Sequence, residues 1–267
     1  MTARIDIRKV LAVALMLTAA TLARAQADST RQRVWQQERA SLFAISHVDV
    51  LDTYLSQEKF KGTELRYLSQ SRKQRQGSRV SRETMHQFMV STAGTRGNSN
   101  SLLSAMYNLK FGWLYDWQLH NDGLTLRLGG LIDGTLGGTY NTRNSNNPAQ
   151  ARIALSVDPA ARLTWRLRIR NHPLAVRYEA SSPLAGLAFS PNYGQSYYEI
   201  FTQGNYDHNI VFTSLFNALQ LHHMLMLDFR LWRTTFSLGY LGDLRQMKAN
   251  DLKYHQYTHG IVLGWRL

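Results

Sequence analysis

LSAMYNLKFGWLYDWQL, residues Leu103–Leu119, alternates apolar and polar side chains. Its odd positions read Leu103, Ala105, Tyr107, Leu109, Phe111, Trp113, Tyr115, Trp117 and Leu119, and the even ones include Ser104, Asn108, Lys110, Asp116 and Gln118. Period two is the pattern of a strand with one apolar and one polar face. After the turn His120-Asn121-Asp122-Gly123 the parity switches, as a hairpin allows, to Leu124, Leu126, Leu128, Gly130, Ile132, Gly134 and Leu136. Soluble strands average roughly five or six residues, whereas a tilted strand needs about 9–11 to cross a bilayer, so runs of this length predict a transmembrane barrel.

The same grammar extends along the chain. From Ala149 to Ile169 the odd positions are apolar through Asp158-Pro159, which predicts one long strand with a bulge. Leu174, Val176 and Tyr178 follow the turn Asn171-His172-Pro173. Val211 to Phe229 alternates more loosely, then Thr234 to Leu244, and Ile261, Leu263, Trp265 and Leu267 close the chain. Gly62 to Arg72 and Thr84 to Thr92 are weaker candidates. Bacterial single-chain barrels use even strand numbers, which calls for a tenth strand at Leu42 to Leu55, with Tyr197 to Thr202 as its rival. The fold class is therefore an all-β antiparallel transmembrane β-barrel of about ten strands.

Connection lengths orient it. Short turns at His120–Gly123, Asn171–Pro173 and Arg230–Arg233 belong on the periplasmic side. Longer loops at Gly94–Asn100, Asn141–Pro148, Ser182–Asn209 and Lys248–Lys253 belong outside. Trp113, Trp117, Trp165, Trp232 and Trp265 all fall near the short turns, as an interfacial girdle requires; the rival is the core of a soluble periplasmic β-sandwich binding module. Gly129-Gly130 and Gly137-Gly138 relieve crowding on a curved wall.

The N-terminal segment reads as an address. Arg4, Arg8 and Lys9 precede an apolar run from Val10 to Ala23, and Ala23-Arg24-Ala25 offers a small-x-small cleavage site. Residues 1–25 are thus expected to be a cleaved signal peptide. Residues 26–267 follow as a single barrel domain with a short lead-in segment, in the bacterial outer membrane. The chain contains no Cys, which excludes disulfides and a lipidated N-terminal Cys. The terminal run His259-Gly260-Ile261-Val262-Leu263-Gly264-Trp265 resembles the pattern that outer-membrane barrels present to the barrel-assembly machinery, though the chain continues to Leu267.

Ser190-Pro191-Asn192-Tyr193-Gly194-Gln195-Ser196-Tyr197-Tyr198-Glu199-Ile200-Phe201, with Asn144-Ser145-Asn146-Asn147-Pro148 and the N-terminal address, resembles an uncharacterised family of Bacteroidetes secreted proteins that carries a domain of unknown function. The resemblance implies an outer-membrane location and supplies no activity.

Function is less legible. Opposite the apolar face, the long strand presents Arg152, Arg162, Arg166, Arg168 and Arg170, and the next adds Arg177 and Glu179. This ladder suits an anion path for a small polar or acidic solute. Alternatively it forms a packed interior in which Arg side chains pair with Asp116, Asp133, Asp158 and Glu179, and the small lumen of a ten-stranded barrel favours that. Removing residues 1–25 leaves 27 Lys+Arg and 17 Asp+Glu (31 − 4 and 18 − 1), a net +10. Alternating lumenal arginines do not make a nucleic-acid surface, and outer-membrane lipid is the nearer partner at strand ends, including for Lys73, Arg75, Arg79 and Arg82.

Tyr193, Gln195, Tyr197, Tyr198, Glu199 and Tyr206 in the long loop suit sugar or peptide contacts, because rings stack while polar neighbours orient. The rival reading is a loop that plugs the mouth by its own packing. A lipid-modifying barrel enzyme would need Ser214, His208 or His222-His223 to converge, and no catalytic motif supplies that geometry. Adjacent histidines on a strand point to opposite faces and cannot share a metal, so neither metal nor cofactor is expected.

Overall fold

In the computed structural model the described residues are 35–97, 99–120, 123–145, 147–170 and 172–267. The expected signal peptide and the turn residues Asn121, Asp122 and Asn171 lie outside them. The alternating stretches form β1 (Trp35–Asp52), β2 (Lys59–Arg75), β3 (Val80–Gly94), β4 (Ser101–His120), β5 (Leu124–Asn141) and β6 (Ala149–Ile169), each antiparallel to the next. There follow β7 (His172–Ser181), β8 (Ala185–Phe189), the short helix α1 (Tyr197–Phe201), β9 (Ile210–Ser214), β10 (Gln220–Leu231), β11 (Thr234–Ala249) and β12 (Leu252–Arg266). β12 pairs with β1 from Ala40↔Arg266 to Asp52↔Tyr254, which closes the sheet.

The closed wall has ten staves because two of them are interrupted. β7 runs along β6 from Ile169↔His172 to Ala160↔Ser181, and β8 continues on the same edge from Val157↔Ala185 to Ala154↔Ala188. Ser182-Pro183-Leu184 spans the break, where Ser182 and Leu184 still donate to the carbonyls of Pro159 and Val157. On the far side, β10 pairs with β7 and β9 pairs with β8. Ser214 and His222 are eight residues apart (222 − 214), while their partners Ala185 and Ser181 are four apart (185 − 181). Four extra residues are therefore looped out around Leu215–Leu219. That insertion is why alternation is loose between Val211 and Phe229.

Side-chain parity matches the sequence reading. On β4, Leu103, Tyr107, Leu109, Trp113, Tyr115, Trp117 and Leu119 are exposed on the outer wall, whereas Met106, Asn108, Lys110, Leu114 and Asp116 are buried inside. Leu128, Ile132, Leu136 and Tyr140 of β5 and Ile153, Leu155, Val157 and Trp165 of β6 extend the outer apolar surface. A sandwich would bury this face; here it points outward around a closed barrel, the arrangement a lipid solvent requires. No helix among the described residues is long and apolar enough to cross a membrane.

Four expectations change. Asp158-Pro159 carries no bulge in its pairing with β5, which runs through Leu131↔Asp158 and Gly130↔Pro159 without a register shift. Tyr197–Phe201 is helical rather than a strand, because Ser196 and Glu199 form a capping box there. The outer loop begins after Phe189 rather than at Ser182, since β8 extends the wall. The β11–β12 connection is no long loop but a two-residue turn at Asn250-Asp251, whose φ values of 51° and 60° fit the left-handed turn that joins twisted strands.

The glycine doublets divide by face. A Cβ on Gly129 would stand 2.0 Å from the Trp113 carbonyl oxygen, and one on Gly137 would stand 2.4 Å from that of Ala105. Gly130 would meet nothing within 4 Å. Only the inward glycine of that first pair is required by close strand approach.

Candidate functional site: a charge-packed lumen and its outer cap

The lumen is filled rather than hollow. Leu42, Ala44, Leu68, Met85, Met224, Met226, Leu241 and Val262 form a buried apolar cluster along one side of it. Ion pairs fill the rest of it at several levels. Lys110 contacts Asp133 at 2.8 Å and Asp158 at 2.9 Å. Arg66 contacts Glu64 at 2.7 Å and Asp243 at 2.8 Å, and Asp243 also accepts from Arg245 at 2.8 Å. Arg162 lies between Glu83 at 3.3 Å and Glu179 at 3.5 Å, while Arg72 holds Asp116 at 2.5 Å. Arg177 binds Asp228, which also accepts from Arg266, and Arg152 binds Asp52.

These networks set ten carboxylates (Glu38, Asp52, Glu64, Glu83, Asp116, Asp133, Asp158, Glu179, Asp228, Asp243) against nine cations (Arg66, Arg72, Lys110, Arg127, Arg152, Arg162, Arg177, Arg245, Arg266). The lumenal balance is 9 − 10, or −1, so the excess positive charge of the chain lies elsewhere. A cavity of ≈30 Å³ beside Glu38, Arg72 and Arg162 and one of ≈20 Å³ beside Gln87, His222 and Asp243 are sized for water rather than for a solute.

The arginine ladder therefore divides. Arg152, Arg162, Arg177 and Glu179 enter ion pairs inside the barrel. Arg166 and Arg168 instead line an open mouth of ≈510 Å³ at the short-turn end, and Arg170 occupies the adjoining turn with φ 46°. The sequence reading missed several partners: Asp52, Glu83, Asp228 and Asp243 come from strands far away in sequence, and only sheet register brings them opposite. The same rim carries Arg39, Lys73, Arg75, Arg79, Arg82, Arg230 and Arg233, and the carboxylates described at that end, Glu38, Asp116 and Asp228, are all in the lumenal pairs. Trp113, Trp117, Trp165, Trp232 and Trp265 are exposed beside it.

At the opposite end the mouth is covered. Val48, Val50, Tyr54, Leu55, Phe60, Leu102, Leu252 and Tyr254 form a buried apolar cluster, and Tyr197 of α1 packs against it. Tyr54 donates its hydroxyl to the Gln195 carbonyl at 2.9 Å, and the Ala151 amide donates to the Tyr197 hydroxyl at 2.6 Å. Burial pushes both phenols above their ordinary range, so they remain neutral donors. The Ser196 amide and hydroxyl donate to Glu199 at 2.6 and 2.9 Å, which holds that carboxyl below its ordinary range. Gln195 is buried and ties Asn192, Asn205 and Asn209 together.

The loop residues consequently have two fates. Gln195, Tyr197 and Glu199 hold the cap together. Tyr193, Tyr198 and Tyr206 are exposed, together with Phe201. The possible catalytic groups stay apart in their bonding: the Ser214 hydroxyl contacts Asn217, His208 contacts Asp207 on the surface, and His222 is buried facing Asp243 while His223 has the opposite parity. Among the described residues no cluster of three His, Cys, Asp or Glu is placed to hold a metal.

Residues 9–266 match the family described as "Protein of unknown function (DUF3316)". The chain belongs to this family. No curated protein matches it. Among solved structures, the transport unit of the autotransporter AIDA-I from Escherichia coli aligns at 5% identity, covering 88% of this chain and 91% of that one, with a TM-score of 0.46. The outer membrane protease OmpT from Escherichia coli aligns at 6% identity over 89% and 97%, TM-score 0.43. Ail, the attachment invasion locus protein of Yersinia pestis, aligns at 13% identity over 87% and 99%, TM-score 0.30. Likenesses at this level transfer no activity.

Proposed function

We propose that this DUF3316 member is a bacterial outer-membrane barrel with a closed lumen and a binding surface at its outer cap. The observation that carries the reading is the inversion of faces: apolar side chains point outward and paired charges point inward. In this reading residues 1–25 are removed on export, consistent with the Bacteroidetes secreted family that the sequence resembles. The terminal strand is the segment offered to the barrel-assembly machinery. The basic short-turn rim, flanked by tryptophans, meets phosphates of outer-membrane lipid.

Exposed Tyr193, Tyr198, Phe201 and Tyr206 form the surface for a sugar or peptide, with α1 as their rigid base. A structural barrel whose loops bind nothing is the simpler variant. Conduction and lipid hydrolysis are less favoured, the first by the filled lumen and the second by the separate bonding of Ser214 and His208.

Membrane fractionation, gel mobility with and without boiling, and planar-bilayer conductance test this together. The expected result is sedimentation with the outer membrane, a heat-dependent shift and no steady conductance. Recovery in the soluble periplasm without a shift overturns the barrel reading, and steady conductance overturns the closed lumen.

A further inference from the structure

The wall is interrupted where β8 and β9 stand. Below that level β10 bonds both β7 and β11; above it, β9 bonds β8, while β11 bonds the looped segment through Gln246 N to Leu219 O and Lys248 N to Asn217 O. Among the described residues the second edge of β9 has no strand partner; Asn217 of the looped segment bridges it instead, its Nδ2 donating to the Phe212 carbonyl at 2.8 Å and its Oδ1 accepting from the Ser214 amide at 2.7 Å. A cavity of ≈80 Å³ lies behind this interruption. Its lining takes Pro183 from one break, Thr213 and Gln220 from the two sides of the other, and Gln246 from β11.

The lining is chemically mixed. Met106, Ala188, Phe189 and Met247 supply apolar surface, Arg152 and Arg245 supply cations, and the one carboxylate on the lining, Asp133, is paired with Lys110 at 2.8 Å. Arg152 is 9% exposed, contacts Asp52 and stacks 3.6 Å over the Tyr254 ring, yet its buried Nε has no acceptor among the described residues. Arg245 bonds Asp243, and its Nη atoms also meet the sulfurs of Met106 and Met89, at 3.9 and 3.8 Å. Thioethers are weak acceptors, so these two contacts leave the Arg245 Nη donors weakly used on the side facing Met89 and Met106. Outside the interruption, Leu187, Phe212, Leu215, Phe216 and Leu219 are exposed, and Phe216 is 101% accessible on the looped segment.

We propose that this interruption is a lateral site for a single-chain anionic amphiphile. The carboxylate or phosphate head enters the cavity and accepts from Arg152 and Arg245, while the acyl chain leaves beside the Asn217 bridge between β9 and β11, along Phe212 and Phe216. The cavity is too small for a whole chain, and the outer apolar strip supplies the remainder. The site rests on the barrel lying in a membrane, which the heat-dependent mobility shift tests separately from binding.

The test uses the full folded barrel in neutral detergent, with cis-parinaric acid as fluorescent probe. Saturable binding is expected, displaced by oleate or lysophosphatidate and not by methyl oleate; the better of the two anionic displacers identifies a carboxylate or a phosphate head. Ala188→Trp fills the cavity and Phe216→Ser removes only an exposed side chain. The first should weaken binding about ten-fold or more, equivalent to about 1.4 kcal/mol, and the second several-fold. Absence of saturable binding by heat-modifiable protein overturns the site. So does equal displacement by methyl oleate, or unchanged affinity in both variants.

Discussion

The Lys110 ammonium lies 2.9 Å from the Asp158 carboxylate, with Asp158 fully buried, and it reaches Asp133 at 2.8 Å from the same position. Three adjacent strands, β4, β5 and β6, are thereby tied along the inner wall by one cation. Removing it leaves two carboxylates without their shared counter-charge.

Lys110→Met should therefore destabilise the barrel by about 3–5 kcal/mol, the usual cost of breaking a buried pair from one side. Urea titration of the folded fraction, read by heat-dependent mobility, measures this. The triple variant Lys110→Met, Asp133→Asn, Asp158→Asn should recover most of the loss, and failure to recover would show that the lysine acts by packing.

Wall curvature gives a paired comparison. Gly129→Ala places a methyl 2.0 Å from the Trp113 carbonyl oxygen and should cost several kcal/mol or prevent folding, as overpacking against backbone does. Gly130→Ala enters open space and should change stability by no more than about 0.5 kcal/mol. The refolded fraction of each variant is the readout.

The outer cap should loosen in acid. Glu199 has a folded-state pKa below its ordinary value because the Ser196 amide and hydroxyl bond its carboxylate. A depressed carboxyl contributes stability above its ordinary range and loses it as pH falls through the lowered folded value. Limited proteolysis of the 190–209 loop should accelerate across that acidic window in the parent. Glu199→Gln should show faster cleavage already at neutral pH and a flatter profile; an identical profile would exclude the capping box as the clasp.

Much of the barrel was legible because period-two alternation survives wherever an exposed apolar face backs onto an inward charged one, as on β4, β5 and β6. The even strand number points to a strand at Leu42 to Leu55, where β1 runs to Asp52, although the pattern there is obscured. Ala44 and Val48 face inward while Phe43 and Ile45 face outward, so both parities are apolar. The lumenal cluster of Leu42, Met224, Met226, Leu241 and Val262 was hidden for the same reason. Arg166, Arg168 and Arg170 continue the parity of Arg162 beyond the packed lumen, and alternation alone contains no marker of where that packing stops. Ala185–Phe189 read as loop because Pro183 and Gly186 punctuate it, yet β6 and β9 supply the pairing that local sequence does not advertise. Similarly, the tyrosines of the long loop share a composition, and only tertiary contact separates Tyr197, which seals the mouth, from Tyr198, which faces outward.

The most direct measurement is oxygen accessibility of single spin labels placed along Leu103–Leu119 in lipid bilayers, feasible because the chain has no native Cys. An apolar wall turned to lipid gives a period of two, with high oxygen accessibility at Tyr107, Leu109 and Trp113 and low accessibility at Asn108, Lys110 and Leu114. High accessibility at the even positions, or none at the odd ones, would contradict a barrel that turns its apolar face to lipid.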